Sequence, residues 1–501
     1  MIRFGQYARN VGLLVGQSFI QRLLGMATTV VLARFLGATG LGAYSVVMTT
    51  STSAYGLVRL GVDGAIHVHT AEGFADEAGR RKMEELLAAA CLLLVAAGGG
   101  GGLTCLAFAN PLARAIYGEP ELATWIRVAG IAVFLQAVSQ FFYATLAGLH
   151  RFAEYSVVMV ATAVANLGLI AGGALAYGLA GAVAGLLGAQ ALSVLWLGLV
   201  VRRAFRKAEV RLVFRNTVDR AASLLRLGMP VYLAGLVVIP AIYILQGMLV
   251  RNTSLEQLGY LRAITGIVAI VAFAPTSAAA AMISMFARER TDVDGALAFR
   301  IVQNVRMILM FGLVMATGLT VLLPWLLPLL FGDQYSAATG PASLALVTAV
   351  LSATYGVISN ALLSARKVAM LFAASCLQTA AFVGSGAVLI PAFGLTGYVA
   401  AELVGYAACL AAALVAALPW LKENGIGLGW LAGASMPFLV LLGYAARHLS
   451  RVDEPTVLEA LAGLAIVAGL AGWMYYTMLR REERPIGAYW IAGSRASSGG
   501  D

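Results

Sequence analysis

Apolar stretches of about 20 residues recur along the whole chain, separated by short polar or basic breaks, and each is long enough to cross the roughly 30 Å of bilayer hydrocarbon as a helix. Six precede the most basic loop: Val11–Ala33, Gly42–Val62, Glu85–Ala107, Leu122–Leu149, Tyr155–Tyr177 and Ala180–Val201. Six follow it: Met229–Val250, Leu258–Met282, Val305–Leu327, Pro341–Ser364, Val368–Ile390 and Leu395–Pro419. Leu428–Ala446 and Val457–Leu479 bring the expected number to fourteen. The Leu, Ala and Gly blocks lack the two-residue alternation of barrel strands. The expected fold is therefore an all-α polytopic membrane protein. Arg22 interrupts the first segment and no small-residue cleavage site follows, so that segment is expected to be a span and not a cleaved signal.

The first six spans are echoed by the next six. Tyr177-Gly-Leu-Ala-Gly181 returns as Phe393-Gly-Leu-Thr-Gly397 at a shift of 216, and His150-Arg151 returns as Arg366-Lys367 at the same shift. Leu41-Gly42 returns as Leu258-Gly259 at 217, and Ile116-Tyr-Gly-Glu119 as Leu330-Phe-Gly-Asp333 at 214. Units of six helices keep one orientation, so the lobes are expected to be related by a pseudo-two-fold axis along the membrane normal, with substrate between them. The expected organisation is a lobe over 1–201, a basic connector over 202–227, a second lobe over 228–419, two extra spans over 420–480 and a tail over 481–501.

Composition agrees with the pattern: 60% of the 501 residues are hydrophobic and 12% charged, where soluble domains carry about 25% charged residues. A soluble globule is excluded. The net charge of +10 sits mostly in short loops beside spans and reads as orientation, not nucleic-acid binding. With the N-terminus in the cytoplasm, that side holds about 25 of the basic residues, so both termini are expected there. The connector alone contributes Arg202, Arg203, Arg206, Lys207, Arg211, Arg215, Arg220 and Arg226, and membrane lipids are its expected partner. Cys91, Cys105, Cys376 and Cys409 fall in apolar segments without metal-ligand spacing, and no phosphate-loop or hydrolytic motif is present. No cofactor, metal or catalytic residue is expected, and neither is internal ATP chemistry. The run Gly98–Gly102 lies within a span and reads as close helix packing.

Polar groups inside the spans carry the functional information. Arg22 lies at the middle of the first span, where a charge costs roughly 2.5–3.5 kcal/mol on insertion scales, so it should face a cavity or a partner. Its alternative is a structural bond to a carbonyl or to Asp63. Ser18, Arg22, Gly25 and Thr29, flanked by Gln17 and Gln21, share a helical face. Ser45, Thr49, Thr52, Gly56 and Arg59 repeat the design on the second span. Tyr232, Tyr243 and Gln246, then Arg262, Thr265, Thr276 and Ser277, do so in the second lobe. The expected substrate-binding set is Arg22, Arg59, Gln17, Gln21, Ser18, Thr49, Tyr243, Gln246 and Arg262. A cavity whose fixed charges are arginines prefers anions, and guanidinium pairs with phosphate in a bidentate way. For Arg59 and Arg262 the other reading is snorkelling. Glu402 either binds a coupling proton or sodium ion or joins helices. Gly25, Pro240 and Pro275 are the candidate hinges, the prolines because each removes a backbone hydrogen bond.

Leu32-Ala33-Arg34, Leu36-Gly37, Gly40, Gly42 and Tyr44 resemble the L-A-R-x-L-G-x-x-x-x-G-x-Y signature of bacterial Wzx-type polysaccharide flippases, and Gly148-Leu-His-Arg-Phe152 resembles their G-L-x-R-F turn. These belong to the multidrug, oligosaccharidyl-lipid and polysaccharide exporter superfamily. The resemblance implies two six-helix lobes plus two C-terminal helices in a bacterial cytoplasmic membrane. It also implies ATP-independent alternating access that flips undecaprenyl-pyrophosphate-linked oligosaccharide units for O-antigen or exopolysaccharide assembly, with a polysaccharide polymerase and other assembly proteins as partners. Arg34 is expected to shape the outer turn. Other readings are a multidrug antiporter of the same superfamily, which would place acids in its cavity, a lipid II flippase, and a major-facilitator transporter, whose loop Gly73–Lys82 mimics. A membrane glycosyltransferase or polymerase would need a catalytic cluster in a large outer loop, which the sequence does not offer.

Overall fold

A computed structural model describes residues 4–62, 64–66, 70, 77–149, 151–271, 294–364, 368–423, 430–450 and 457–474. Among them are no strands, and eleven long helices account for the architecture. They are α1 Phe4–Val58, α2 Glu77–Ala107, α3 Ala123–Gly148, α4 Phe152–Ala208, α5 Thr217–Asn252 and α6 Leu255–Val271. The rest are α7 Asp294–Phe331, α8 Thr339–Ser364, α9 Val368–Glu423, α10 Trp430–Ser450 and α11 Val457–Met474. Eight helices among the described residues are long and apolar enough to cross a membrane. The chain is a multi-pass membrane protein.

Three of the eleven, α1, α4 and α9, each contain two of the expected spans. The chain breaks inside them at single glycine-centred points, Gly37 (φ 69°), Tyr177-Gly178 (Gly178 φ 60°) and Gly394 (φ 55°). These φ values lie in the left-handed region that a side chain bearing Cβ rarely enters. The two arms of α4 then meet backbone to backbone: a Cβ on Gly173 would lie 2.1 Å from the Gly181 carbonyl oxygen, and one on Gly181 would lie 1.9 Å from that of Gly173. A Cβ on Gly397 would likewise lie 1.9 Å from the Leu389 oxygen across the break in α9. Helices in lipid associate through such close van der Waals approach, because lipid tails supply no hydrophobic drive between them. The run Gly98–Gly102 serves the same end: Gly102 of α2 and Gly130 of α3 each place their missing Cβ 2.6 Å from the other's carbonyl.

Helices α1 to α4 pack as one lobe and α5 to α9 as a second, with α1 and α6 in extensive contact between them, while α10 lies against α7 and α8 and α11 against α7. Contacts at repeat-related positions show the pseudo-two-fold directly. Ala38 and Leu255 are 217 residues apart, as are Gly42 and Gly259. A Cβ on Gly42 would sit 1.9 Å from the Leu255 oxygen, and one on Gly259 would sit 2.0 Å from the Ala38 oxygen. The same contact is thus made twice, once from each lobe.

The basic connector expected over 202–227 is mostly helical. Helix α4 continues to Ala208 and α5 begins at Thr217, leaving only 209–216 outside a helix. Glu84 accepts the Arg211 amide at 2.9 Å, and Arg220 pairs with Glu85 at 2.7 Å, so this segment is tied to α2.

Candidate functional site

The polar positions picked out from the sequence separate into three groups once the helices are packed. Arg22 is half-buried on α1 and reaches across the boundary between lobes, where an Nη donates to the Ala269 carbonyl of α6 at 3.0 Å. A guanidinium at this depth needs acceptors of this kind, because it carries five donors and no acceptor. The repeat-related position in the second lobe is Ile239, which packs on Gly56. The charge is therefore one-sided. Gln17 and Gln21, its sequence neighbours, turn the other way: Gln17 is buried beside Tyr155, and Gln21 donates to the Met159 carbonyl at 3.4 Å, so both fasten α1 to α4 within their own lobe. Ser18 is half-buried between these two faces.

A second group forms a polar seam between α1 and α5. Thr49 donates to Gln246 Oε1 at 2.9 Å, and Thr50 and Tyr243 share a hydroxyl hydrogen bond at 3.1 Å. Tyr243 meets Tyr117 edge to face at 5.8 Å, and Gln246 Nε2 reaches toward the Tyr398 hydroxyl at 3.5 Å, the outer limit of a hydrogen bond. Tyr398 lies one turn before Glu402 on α9 and Tyr406 one turn after, and both interact electrostatically with that carboxyl. Beyond Tyr406 stand Gln378 and Tyr355. Glu402 is thus half-buried inside the second lobe, at the end of a polar chain that starts on the first.

Arg59 and Arg262 occupy opposite ends of the bundle. Arg59 stands at the end of α1, just before Leu60 (φ 50°) and Gly61 (φ 70°), with an Nη 3.7 Å from where a Gly235 Cβ would be. There Tyr232 donates to the Leu57 carbonyl, and Gly61 and Gly228 touch backbone to backbone. Arg262 is half-buried near Tyr44 at the end where the glycine breaks cluster.

That end carries a feature the sequence reading reached only in part. Arg34 donates through Nε to the Leu330 carbonyl at 2.9 Å and through an Nη to that of Leu329. Arg251, at the repeat-related position, donates to the Ala115 carbonyl at 3.3 Å. Positions 115 and 329 are themselves related by the 214 shift. Two arginine clasps, one from each lobe, hold this end together. The signal was present in the sequence, since Arg34 and Arg251 are 217 apart, but two arginines at span ends ordinarily read as anchors.

Of the hinge candidates, Gly25 and Pro240 lie in continuous stretches of α1 and α5, and Pro275 lies outside the described residues, as do Asp63, Thr276 and Ser277. The breaks observed are at Gly37, Gly178 and Gly394, where helices reverse. Two cavities, of about 1000 and 930 Å³, lie away from the seam; none of Arg22, Arg59 and Arg262 lines either. The four cysteines are free, and among the described residues no cluster of His, Cys, Asp or Glu could hold a metal ion.

A family model described as "Polysaccharide biosynthesis protein" matches residues 7–290. Among solved structures, the fold is similar to a lipid II flippase MurJ in an inward closed conformation, at TM-score 0.70 and 12% identity over 93% of this chain and 99% of that one. It is also similar to an inward-facing multidrug resistance MATE transporter of the MOP superfamily, at TM-score 0.67 and 15% identity over 81% and 95%. A MOP superfamily transporter from Pyrococcus furiosus, whose binding pocket is described as of reverse polarity, aligns at TM-score 0.57 and 14% identity over 83% and 96%. No curated protein sequence matches the chain.

Proposed function

We propose, from the premise that the chain belongs to the polysaccharide biosynthesis protein family, that it is a flippase moving undecaprenyl-pyrophosphate-linked oligosaccharide from the cytoplasmic to the outer leaflet by alternating access. A sugar headgroup does not cross hydrocarbon unaided, because each hydroxyl stripped of water costs several kcal/mol without replacement partners. A polar path between two lobes supplies those partners while the polyprenyl tail stays in the bilayer. The observation that carries the reading is Arg22, a mid-span guanidinium placed at the lobe boundary, where it donates across to the Ala269 carbonyl of the other lobe. A pyrophosphate is a stronger, bidentate acceptor for the same fork. When the lobes part, the guanidinium exchanges the carbonyl for the substrate's phosphate.

The basic connector end is read as cytoplasmic, and the clasped end as outer. On that orientation Arg34 and Arg251 close the outer side, and the Gly61–Gly228 contact and Tyr232 lie at the inner side. Glu402 is read as the coupling site for a proton or sodium ion. Through Tyr398 and Gln246 it is linked to Thr49 in the other lobe, so its charge state bears on whether the lobes stay in register. Surface-polysaccharide polymerase and assembly proteins are the natural partners at the outer face. The similarity to lipid II flippase MurJ favours a lipid-linked sugar over a drug cation as cargo, because the charge between the lobes is arginine.

The test is transport by the purified chain in proteoliposomes loaded with fluorescent polyprenyl-pyrophosphate oligosaccharide, read by accessibility to an impermeant lectin or glycosidase. Flipping that needs the pyrophosphate and discriminates against lipid II supports the assignment. Equal flipping of lipid II makes the chain a lipid II flippase, and export of cationic dyes without glycolipid flipping makes it a drug antiporter.

A further inference from the structure

The basic end of the first lobe holds a cavity of about 930 Å³ that the seam does not use. Its floor is apolar, made by Phe141 and Phe142 of α3 and by Gly198 and Val201 of α4. Its rim is formed by Arg81 of α2, Arg202 and Arg206 of α4, and Arg211 just beyond it. Val201 ends the apolar stretch of α4 and Arg202 begins the basic one, so the cavity straddles the level where hydrocarbon gives way to headgroups.

The charges around it are unequally spent. Glu84 accepts the Arg211 backbone amide at 2.9 Å and lies 3.8 Å from Arg80, and Glu209 lies 3.9 Å from the same guanidinium. Arg80 also donates to the Glu209 carbonyl. Two of the three lining acids are thus engaged by Arg80 and a main-chain N–H, while the third, Glu77, is exposed. Among the described residues, the guanidiniums of Arg81, Arg202, Arg206 and Arg211 form no ion pair with an acid. Arg202 and Arg206 are four residues apart and project from one face of α4. Guanidiniums converging above an aromatic floor, at headgroup depth, match one chemistry: a phosphodiester with acyl chains attached.

We propose that this cavity binds an anionic phospholipid, its phosphate on Arg81, Arg202 and Arg206 and its acyl chain over Phe141 and Phe142. Because α2, α4 and the 209–216 segment all border the cavity, the bound lipid fastens the connector where it leaves the first lobe. A diffuse attraction between a polybasic segment and any anionic surface would not depend on which arginines are present. The cavity does.

The experiment uses the full chain in nanodiscs of phosphatidylcholine titrated with phosphatidylglycerol, with thermal unfolding as the readout. Phosphatidylglycerol is expected to raise Tm. The triple variant Arg81→Gln, Arg202→Gln, Arg206→Gln should bind it about 100-fold more weakly, at about tenfold or less for each arginine near a charged surface. The matched triple Arg203→Gln, Lys207→Gln, Arg215→Gln removes the same charge from residues that do not line the cavity and should retain the effect. Equal losses in both triples, or no response to phosphatidylglycerol in the parent, would overturn the proposal. Inorganic phosphate raising Tm as much as the lipid would also overturn it, by making the site one for a free anion. Should the first triple fail to fold, Phe142→Trp provides a reporter above the seven tryptophans of the parent: the emission it adds to the parent's should be quenched more by brominated phosphatidylglycerol than by brominated phosphatidylcholine, and equal quenching of that added emission counts against the site.

Discussion

Arg22 is the residue on which transport is expected to turn, since its repeat-related counterpart is Ile239 and the repeat therefore places no matching arginine there. A hydrogen bond to a charged group contributes about 1.5–3 kcal/mol. Arg22→Ala should therefore slow flipping at least about tenfold, while folded yield, read by size-exclusion chromatography, stays near the parent's. Arg22→Lys keeps the charge but not the fork and should fall between the two. Full activity of Arg22→Ala in the proteoliposome assay would leave the arginine as a helix tie to Ala269 and nothing more. Glu402 belongs to the same scale: among the described residues the groups that act on it are tyrosines, one turn away on either side. Glu402→Gln keeps the shape and removes the ionisation. Transport by this variant should lose its dependence on the pH or sodium gradient, and a gradient response identical to the parent's would return Glu402 to helix packing.

At the scale of elements, glycine decides how closely helices approach. Gly42 and Gly259 bring α1 and α6 to backbone contact, so a methyl at either meets a carbonyl at about half the normal separation. Gly42→Ala and Gly259→Ala are each expected to cost about 1–3 kcal/mol of overpacking, visible as a lowered Tm. The two should resemble one another because the contacts are symmetry-related. Gly25 sits in α1 with open space where its Cβ would be. Gly25→Ala should raise stability by up to about 1 kcal/mol from helix propensity. Helix α1 was legible from hydropathy as two spans. The tightness of the break between them was not, because the Leu-Gly-Ala-Thr-Gly stretch from 36 reads as a loop until the packed lobes show that one left-handed residue, Gly37, suffices to reverse the chain.

For the whole molecule, the two clasps made by Arg34 and Arg251 are the contacts that must release if the clasped end is to open. Replacing both with alanine should shift the ensemble toward the open state by more than either replacement alone, since one clasp still holds the repeat-related contact shut. Spin labels on the two lobes near this end, measured by pulsed electron resonance, should report a longer distance population in the double variant. An unchanged distribution would show that the glycine contacts, not the arginines, hold the end closed.

Hydrophobic patterning by itself determined the class of molecule and the spans, because a bilayer demands about 20 apolar residues per crossing whatever the helices do next, and the short motifs recurring at shifts of 214 to 217 determined the two-fold repeat. It also singled out Arg22, whose cost in hydrocarbon is independent of its neighbours. What it did not determine is which way each polar side chain turns. Helix faces toward lipid and toward other helices are both apolar, so amphipathic period carries little directional signal. Gln17, Gln21 and Arg22 look like one stripe in sequence. Only the crossing of α1 with α4 on one side and α6 on the other sent the glutamines inward and the arginine across the lobes. The joining of Thr49 to Gln246, and of Arg34 to residues nearly 300 positions away, was likewise decided by packing, since contacts so distant in sequence exist only after the lobes have met.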